Sequence, residues 1–293
     1  MPKQLSDYSR TDWMRLRPFT QSIKIARYNR ANARYCELSP RAGHLQSIIE
    51  SCREKRVLVT IAFNDPEVLL LQGKLFRQFV QDAVHVVADN SSDDSAAKAI
   101  EDNCIACDVP YIRLPQNPWR GSSVASRSHG QAMNWVWKRI LRVAQPSVFG
   151  FVDHDLFPTK ICDPFEPLQR HAFYGDKRWS KERWFLWAGF CFFRFSEVAK
   201  LKLDFGQDWF LGLDTGGANW DLLYRQTDPT LLPDRPIHPI AILPDVGIEK
   251  AYVEWRGDWL HEVGLDGDLR LRTAKRQAML ALLHEKVGDF GRF

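Results

Sequence analysis

The sequence predicts an α/β protein with a mostly parallel central sheet and helices on both faces. Short apolar segments rich in β-branched residues recur after residue 56, and each is followed by a loop and a stretch with helical spacing of apolar residues. This alternation repeats four times within about a hundred residues, as expected for right-handed βαβ units. Such sheets bind ligands beyond the carboxyl ends of their strands, so the chemistry is expected in the loops that follow the strands.

Each predicted element has its own local signal. The apolar runs VLVTIAF, VHVVA, VPYIRLP and VFGFVDHD predict buried strands over 57–63, 84–88, 109–115 and 148–155. Helical spacing of apolar residues predicts helices over 66–81, over a stretch ending at Cys107, and over 122–143. The pair Cys104 and Cys107 falls at the end of the second helix and has no partner cysteine pair, so we interpret both as reduced core thiols.

Charge divides the chain into two predicted regions. Residues 1–56 hold twelve Lys or Arg and five Asp or Glu, whereas the whole chain has a net charge of only +4. We predict that 1–56 is a basic N-terminal extension packed on the body, 57–293, through its scattered aromatic residues. Its basic face is either solvated or contacts an anionic partner such as a membrane surface. The small net charge gives no reason to expect a nucleic-acid partner.

The expected location is the cytoplasm, either free or peripheral at the inner membrane face. The sequence has no run of about 18 uncharged apolar residues, and its first residues lack the apolar core of a signal peptide. Six cysteines in a chain of 293 residues are too sparse for a disulfide scaffold.

The loops after the predicted strands are acidic rather than glycine-rich. Asn64, Asp89, Asp153 and Asp155 all fall at strand ends, and neither a dinucleotide fingerprint nor a P-loop is present. Carboxylates repel phosphate, but they can bind it through Mg²⁺ or Mn²⁺, which take hard oxygen ligands and fill their remaining positions with water and substrate phosphates. The sequence therefore predicts a divalent cation at the end of the fourth strand.

The ordered series of strand-end motifs resembles the GT-A fold glycosyltransferases, especially the large family 2 type. The resemblance runs from residue 57 to about 261, so that 57–293 would be a GT-A domain. It rests on Ala62-Phe63-Asn64, on the loop Asp89-Asn90-Ser91-Ser92-Asp93, on the Asp-x-Asp of FVDHDLFP, and on the segments WAGFCFFRF and GLDTGGANWDLLYR. Ser91 replaces a usual glycine, and Leu213-Asp214 replaces a usual Glu-Asp pair.

The resemblance implies roles for individual residues. The donor nucleotide would contact Ala62, Phe63, Asn64, Asp89 and Asn90, although Asp89 is equally explained as a turn residue. Asp153 would lie near the ribose or the water shell of the cation and Asp155 would bind the cation directly, while His154 is expected to be structural. His261 is expected as the third ligand, with His238 as the second choice. Arg127 or His129 would add charge near the diphosphate.

The resemblance also implies a catalytic base, and the clustered tryptophans among the eleven in the chain suggest an acceptor platform. Asp214 is the expected catalytic base, although it could instead cap a helix that begins near Gly217. Asp221 is the reserve, because seven residues later, inside a regular α-helix, it would point the same way about two turns on. Trp184 and Trp187 are either core residues or a stacking platform for the acceptor sugar.

The predicted function is transfer of a sugar from a nucleoside-diphosphate sugar to a saccharide or other hydroxyl acceptor, with Mn²⁺ or Mg²⁺ as cofactor. Two alternatives are a sugar nucleotidyltransferase and a catalytically degenerate GT-A module that acts as a binding or scaffold protein. A nucleotidyltransferase would normally have a glycine-rich first loop with Arg or Lys, which IAFNDPE lacks.

Overall fold

The computed structural model describes residues 8–119, 125–208, 211–243, 245–246, 251–264 and 269–288. Its α-helices are α1 (Arg10–Met14), α2 (Arg17–Glu37), α3 (Leu45–Cys52), α4 (Pro66–Phe79), α5 (Asp94–Ala106), α6 (Ala125–Val136), α7 (Arg142–Ala144), α8 (Phe195–Val198) and α9 (Leu269–Val287). Its strands are β1 (Arg56–Ala62), β2 (Val84–Asp89), β3 (Tyr111–Arg113), β4 (Val148–Asp153), β5 (Leu156–Pro158), β6 (Phe173–Ser180), β7 (Arg183–Arg194), β8 (Ile237–Ala241), β9 (Tyr252–Arg256) and β10 (Trp259–His261). Short π-helices cover Trp137–Leu141 and Trp220–Tyr224, and 3₁₀ turns cover Glu166–Gln169, Gly217–Asn219 and Pro229–Leu231.

The central sheet has six strands in the order β3-β2-β1-β4-β7-β6. Strand β1 pairs in parallel with β2 and β4, β2 pairs in parallel with β3, and β7 runs antiparallel to both β4 and β6. Five strands therefore share one direction, and their carboxyl ends form one edge. The predicted α/β class with a mostly parallel sheet is confirmed.

Both faces of the sheet are buried under helices. Val59 and its alternate neighbours on β1 lie in a core cluster with Trp135 of α6, whereas Leu58 on the opposite face packs in a cluster with Phe76 of α4. Successive side chains on a strand point to opposite faces, so burial of the whole run VLVTIA requires cover on both sides. Each fully buried aliphatic side chain contributes about 1.5–3 kcal/mol of transfer free energy.

A second, antiparallel sheet in the order β5-β10-β9-β8 adjoins the end of β4. Its register pairs His261 with Leu156, which brings a residue late in the chain next to the loop after β4. Helix α9 covers this sheet, since Met279 and Leu283 are fully buried with Phe157. Arg276 of α9 fixes that packing, with Nη2 2.9 Å from Asp65 Oδ2.

The N-terminal helix α2 packs on the body through one face. Tyr28, Tyr35 and Cys36 are buried, and the Tyr28 hydroxyl donates to Asp204 Oδ1 over 3.2 Å. Strand β1 begins at Arg56, next to the predicted boundary. The division into regions 1–56 and 57–293 stays a prediction.

Cys104 is buried at the end of α5, and burial raises the pKa of its thiol to about 12. Among the described residues, no helix combines the length and the apolar character needed to cross a membrane.

Candidate metal and donor site

Asp153, Asp155 and His261 meet at the carboxyl edge of the central sheet. Each offers one ligand atom, and these atoms all lie within 4.8 Å of one another. Asp153 ends β4, Asp155 lies in the turn between β4 and β5, and His261 ends β10. The His261 Nε2 atom lies 3.6 Å from Asp155 Oδ1. Within the described ranges, this trio is the group of acidic, histidine or cysteine side chains that has the spacing of a metal site.

A carboxylate behind His261 fixes the orientation of its ring. The Nδ1 atom of His261 lies 3.2 Å from Glu254 Oε2, so Nδ1–H donates to the Glu254 carboxylate and Nε2 is turned toward Asp155. Burial raises the pKa of Glu254, but hydrogen bonds from His261 and Arg256 and the charge of Arg256 outweigh this effect and lower it to about 2. A carboxylate that orients an imidazole ring in this way is typical of metal-binding histidines.

Glu254 is itself held by a buried chain of charges. Arg256 is fully buried, pairs with Glu254, and donates from Nη1 to Asp176 Oδ2 over 2.7 Å. Asp176 also accepts two hydrogen bonds from Arg235, at 2.7 and 3.0 Å. The alternating charges neutralise one another, so the chain holds His261 rigidly without leaving an unpaired buried charge.

Gln72 of α4 fixes the backbone of the turn that carries Asp155. Its fully buried amide donates from Nε2 to the carbonyl oxygens of Asp153, at 2.6 Å, and Leu156, at 3.0 Å. Its Oε1 accepts from Thr60 Oγ1 at 2.8 Å. Sequence reasoning missed this residue, although a lone glutamine on the apolar face of a helix was a signal that could have found it.

Gly189 on β7 lets Asp153 approach the sheet closely. A Cβ atom at position 189 would lie 2.3 Å from Asp153 Oδ2 and 2.3 Å from Trp187 Cζ2. Real Cβ contacts do not occur at such distances, so only glycine leaves room for the carboxylate here. The sequence indicated a glycine-containing strand, but not what the glycine does.

A cavity of about 540 Å³ opens in front of the cluster. Its lining includes Phe63, Asn90, Ser128, His129, Asp153, His154, Asp155, Trp187, Asp214 and Thr215. The expectation that His154 is structural stays a prediction: the residue is half-buried and is one of those that line the cavity. Strand β4 ends at Asp153, so His154 and Asp155 lie in a turn and no longer alternate across a sheet.

The first two loops form one hydrogen-bonded unit. Asn64 has a positive φ of 52°, and its Oδ1 accepts from the backbone N–H groups of Ser92, at 3.0 Å, and Asp93, at 3.1 Å. Asp89 is buried, and its two oxygens accept from Ser91 N and from the Tyr111 hydroxyl, each at 2.8 Å. The structure thus gives Asn64 and Asp89 internal partners, in line with the turn interpretation of Asp89.

Of the five predicted donor contacts, Phe63 and Asn90 line the cavity, whereas Ala62, Asn64 and Asp89 do not. The Phe63 side chain is 38% exposed and offers an apolar face. Asn90 is held by its Nδ2 donating to Ser128 Oγ at 2.9 Å.

The two basic residues predicted near the diphosphate lie in different places. His129 lines the cavity with Nε2 3.6 Å from Asp153 Oδ1, whereas Arg127 faces a neighbouring groove and lies 4.9 Å from the Trp119 ring. His238 is exposed on β8 and does not join the cluster, so His261 is the histidine that the fold places there.

Asp214 lies at the cavity and Asp221 does not. The Oδ1 atom of Asp214 accepts from Gln207 Nε2 and from Thr215 N, both at 2.8 Å. The 3₁₀ turn starts after an N-cap at Gly216, so Asp214 is not the helix cap. Asp221 pairs with Arg225 over 3.3 Å. The segment folds as a 3₁₀ turn and a π-helix, so the α-helical spacing expected between the two carboxylates does not apply.

Of the two tryptophans considered for the acceptor platform, one lies in the core and the other at the cavity. Trp184 is 3% exposed and packs its ring 5.1 Å from that of Tyr224, which makes it a core residue. Trp187 lines the cavity, with its ring 4.9 Å from that of His261 and 4.5 Å from the Arg256 guanidinium.

No protein-family model and no curated protein matches the sequence. Solved structures are similar to it at low identity. The mannosyltransferase PcManGT from Pyrobaculum calidifontis, in complex with GDP-Man and Mn²⁺, is 13% identical with a TM-score of 0.38 over 61% of this chain and 54% of that chain. The galactosyltransferase LgtC, in complex with donor and acceptor sugar analogs, is 12% identical with a TM-score of 0.33 over 59% of this chain and 66% of that chain. An active-site mutant of LgtC is 11% identical, with a TM-score of 0.32, over 59% and 65% of the two chains. The alignments therefore span between 54% and 66% of these glycosyltransferases.

Proposed function

We propose that the chain is a metal-dependent glycosyltransferase that moves a sugar from a nucleoside-diphosphate sugar to a hydroxyl acceptor. The observation that carries the proposal is the cluster of Asp153, Asp155 and His261, whose two carboxylates line an open cavity at the carboxyl edge of a mostly parallel sheet. A saccharide is the first acceptor to test, because Trp187 presents an aromatic face in the same cavity.

The donor set fits a divalent cation such as Mn²⁺ or Mg²⁺. Two carboxylates supply hard oxygen ligands, and the Nε2 lone pair of His261 is directed at them by Glu254. Three protein ligands leave coordination positions for water and for diphosphate oxygens. When bound, the cation would offset the negative charge that builds up on the departing nucleoside diphosphate.

The remaining cavity residues supply the contacts to donor and acceptor. Phe63 offers an exposed ring against which a nucleobase can stack, and Asn90 offers polar atoms beside it. Asp214 lines the same cavity and is the carboxylate proposed to take the proton from the acceptor hydroxyl if transfer inverts the anomeric centre. Its two hydrogen-bond donors, Gln207 and Thr215, hold Oδ1 and leave Oδ2 for that proton.

A thermal-shift titration with GDP, UDP and dTDP, with and without Mn²⁺, tests the proposal. A nucleotide at 100 times its dissociation constant should stabilise the chain by about 2.7 kcal/mol, and only when Mn²⁺ is present. Asp155→Asn should abolish this shift. The matched control is Asp258→Asn, because Asp258 is a surface carboxylate paired with Lys160. Absence of a Mn²⁺-dependent shift with every nucleotide would favour the degenerate binding module.

A further inference from the structure

The first two helices expose apolar side chains that the proposed catalysis does not use. Trp13, Met14, Leu16, Phe19 and Ile23 are each at least 40% exposed. Three of them adjoin one another, because the Trp13 and Phe19 rings lie 6.4 Å apart edge to face and Ile23 follows Phe19 by one helical turn; Met14 and Leu16 come between Trp13 and Phe19 in the sequence. We call these five residues the N-terminal apolar patch. Clusters of this kind on an otherwise polar surface mark interaction sites.

Basic residues continue the same face along α2. Positions 19, 23, 27, 30 and 34 are spaced by three or four residues, so Phe19, Ile23, Arg27, Arg30 and Arg34 share one side of the helix. All five are exposed. The opposite side is the one that Tyr28 and Tyr35 anchor to the body. Helix α2 therefore presents an outward face that is apolar at its beginning and basic along the rest.

The charge around the patch is almost entirely positive. Residues 10–37 contain seven Lys or Arg and two acidic residues, Asp12 and Glu37, which lie near the two ends. Asp12 is already paired with Arg17 over 2.7 Å. Apolar side chains beside a row of cations match the interface of an anionic bilayer, where the apolar groups insert and the cations contact lipid headgroups. A second copy of the chain would instead bring the same positive charge to the contact.

We propose that the outer face of α1 and α2 binds the surface of a bilayer that contains anionic lipids. The inner face of α2 packs beside α6, whose residues Ser126, Ser128 and His129 line the cavity. Membrane contact would therefore hold the cavity one helix layer from the lipid surface. The proposal rests on this surface alone, so it can fail or succeed independently of the proposed glycosyl transfer.

Sedimentation with vesicles of phosphatidylcholine, with and without about 30 mol% phosphatidylglycerol, tests it on the full chain. The wild-type protein should bind the anionic vesicles much more tightly than the neutral ones, and raising the salt from about 0.05 M to about 0.5 M should weaken binding through screening. The triple variant Arg27→Gln, Arg30→Gln, Arg34→Gln should bind at least tenfold more weakly. The double variant Phe19→Ser, Ile23→Ser should lose binding to a similar extent.

Two control variants match these changes elsewhere on the surface. Lys181, Lys200 and Lys202 are exposed on segments other than α1 and α2, and changing all three to Gln should leave vesicle binding unchanged within about a factor of two. Ile105→Ser with Leu231→Ser removes exposed apolar side chains from other elements and should do the same.

The proposal is overturned if the wild-type chain does not bind anionic vesicles, or if it binds neutral vesicles equally well. Loss of binding in both control variants, equal to that in the α2 variants, would also overturn it. Sedimentation velocity tests whether the patch instead binds a second copy of the chain. A wild-type protein that is dimeric, with a Phe19→Ser, Ile23→Ser variant that is monomeric, would assign the patch to a second copy. Circular dichroism of every variant verifies that the helices remain folded.

Discussion

The side-chain amide of Gln72 donates to the backbone carbonyl of Asp153 over 2.6 Å, which ties the middle of α4 to the first residue of the candidate metal site. The same amide reaches Leu156 on the other side of the turn. The turn that carries Asp155 is thus held at both ends by one buried side chain, and the cluster is positioned from behind as well as by its own strands.

Replacing Gln72 by Met should remove this support while keeping the volume of the side chain. Two carbonyls and the Thr60 hydroxyl would each lose a hydrogen bond, so the free energy of unfolding should fall by about 2–3 kcal/mol. Mn²⁺-dependent nucleotide affinity should fall as well, because the turn is no longer fixed. Urea denaturation and nucleotide titration measure the two effects.

The control for Gln72 is Gln46→Met on the exposed surface of α3. Gln46 bonds only to Glu50 within its own helix, so stability should change by less than about 0.5 kcal/mol. Equal effects of the two substitutions would show that the buried amide does not hold the turn.

Gly189→Ala tests the close approach of Asp153 to β7. The added methyl group would overlap Asp153 Oδ2 and the Trp187 ring, and forcing it in should cost about 1–3 kcal/mol of stability. Because the clash is with a proposed metal ligand, Mn²⁺-dependent nucleotide binding should weaken at least tenfold, which isothermal titration calorimetry measures.

Gly73→Ala is the matched control for this substitution. A Cβ atom at Gly73 meets nothing within 4 Å, and the position lies inside α4, so alanine should stabilise the chain by about 0.5–1 kcal/mol and leave nucleotide binding unchanged. Undiminished nucleotide binding in Gly189→Ala would contradict the role given to Gly189.

The position of the clustered carboxylates of Asp153 and Asp155 could be predicted from the sequence, because it depends on local patterns. An apolar run that ends in Asp153 predicts a buried strand, and parallel strands gather their carboxyl ends at one edge. His261 could be proposed only through the family resemblance, since its approach depends on the pairing of β10 with β5. Nothing in the sequence between them sets that register.

The supporting residues could not be predicted for the same reason. Glu254 faces His261 only because β9 and β10 form a hairpin, and Gln72 reaches Asp153 across 81 positions of sequence. The prediction for Asp221 assumed a regular α-helix, whereas the chain forms a 3₁₀ turn followed by a π-helix. Periodicity arguments hold where the backbone is regular and fail where it changes its hydrogen-bond spacing.

The free energy of unfolding should fall as the pH is lowered, because of His85 on β2. Its Nε2 lies 3.0 Å from Thr60 Oγ1, and its Nδ1 is enclosed without a hydrogen-bond partner. Burial lowers the pKa of His85 to about 3, so the unfolded chain binds a proton below about pH 6.5 that the folded chain does not bind until about pH 3. Stability is therefore fully present above pH 6.5 and should decline toward pH 3, by at most about 1.4 kcal/mol per pH unit.

The difference in proton binding between the unfolded and folded chain develops below about pH 6.5. Urea denaturation at several pH values between about pH 7 and about pH 4.5 therefore measures this slope. The residue as a whole is only half-buried, which reduces the slope below the maximum. His85→Gln should flatten the dependence, whereas His44→Gln, at an exposed position, should leave it unchanged. A slope that is identical in wild type and His85→Gln would exclude His85 as its source.

Asp214→Asn tests the proposed base without disturbing its surroundings. The amide oxygen of Asn can still accept from Gln207 and Thr215, so the fold and donor affinity should be retained. Removing a general base should lower the turnover number by about 10²-fold or more at unchanged donor affinity. Hydrolysis of the donor in the absence of an acceptor provides the assay, because water must also lose a proton.

Asp221→Asn is the control, because it breaks only a surface ion pair with Arg225; this variant should hydrolyse donor at the wild-type rate. If Asp214→Asn also hydrolyses donor at that rate, proton removal falls to another group or the reaction proceeds without an enzymic base.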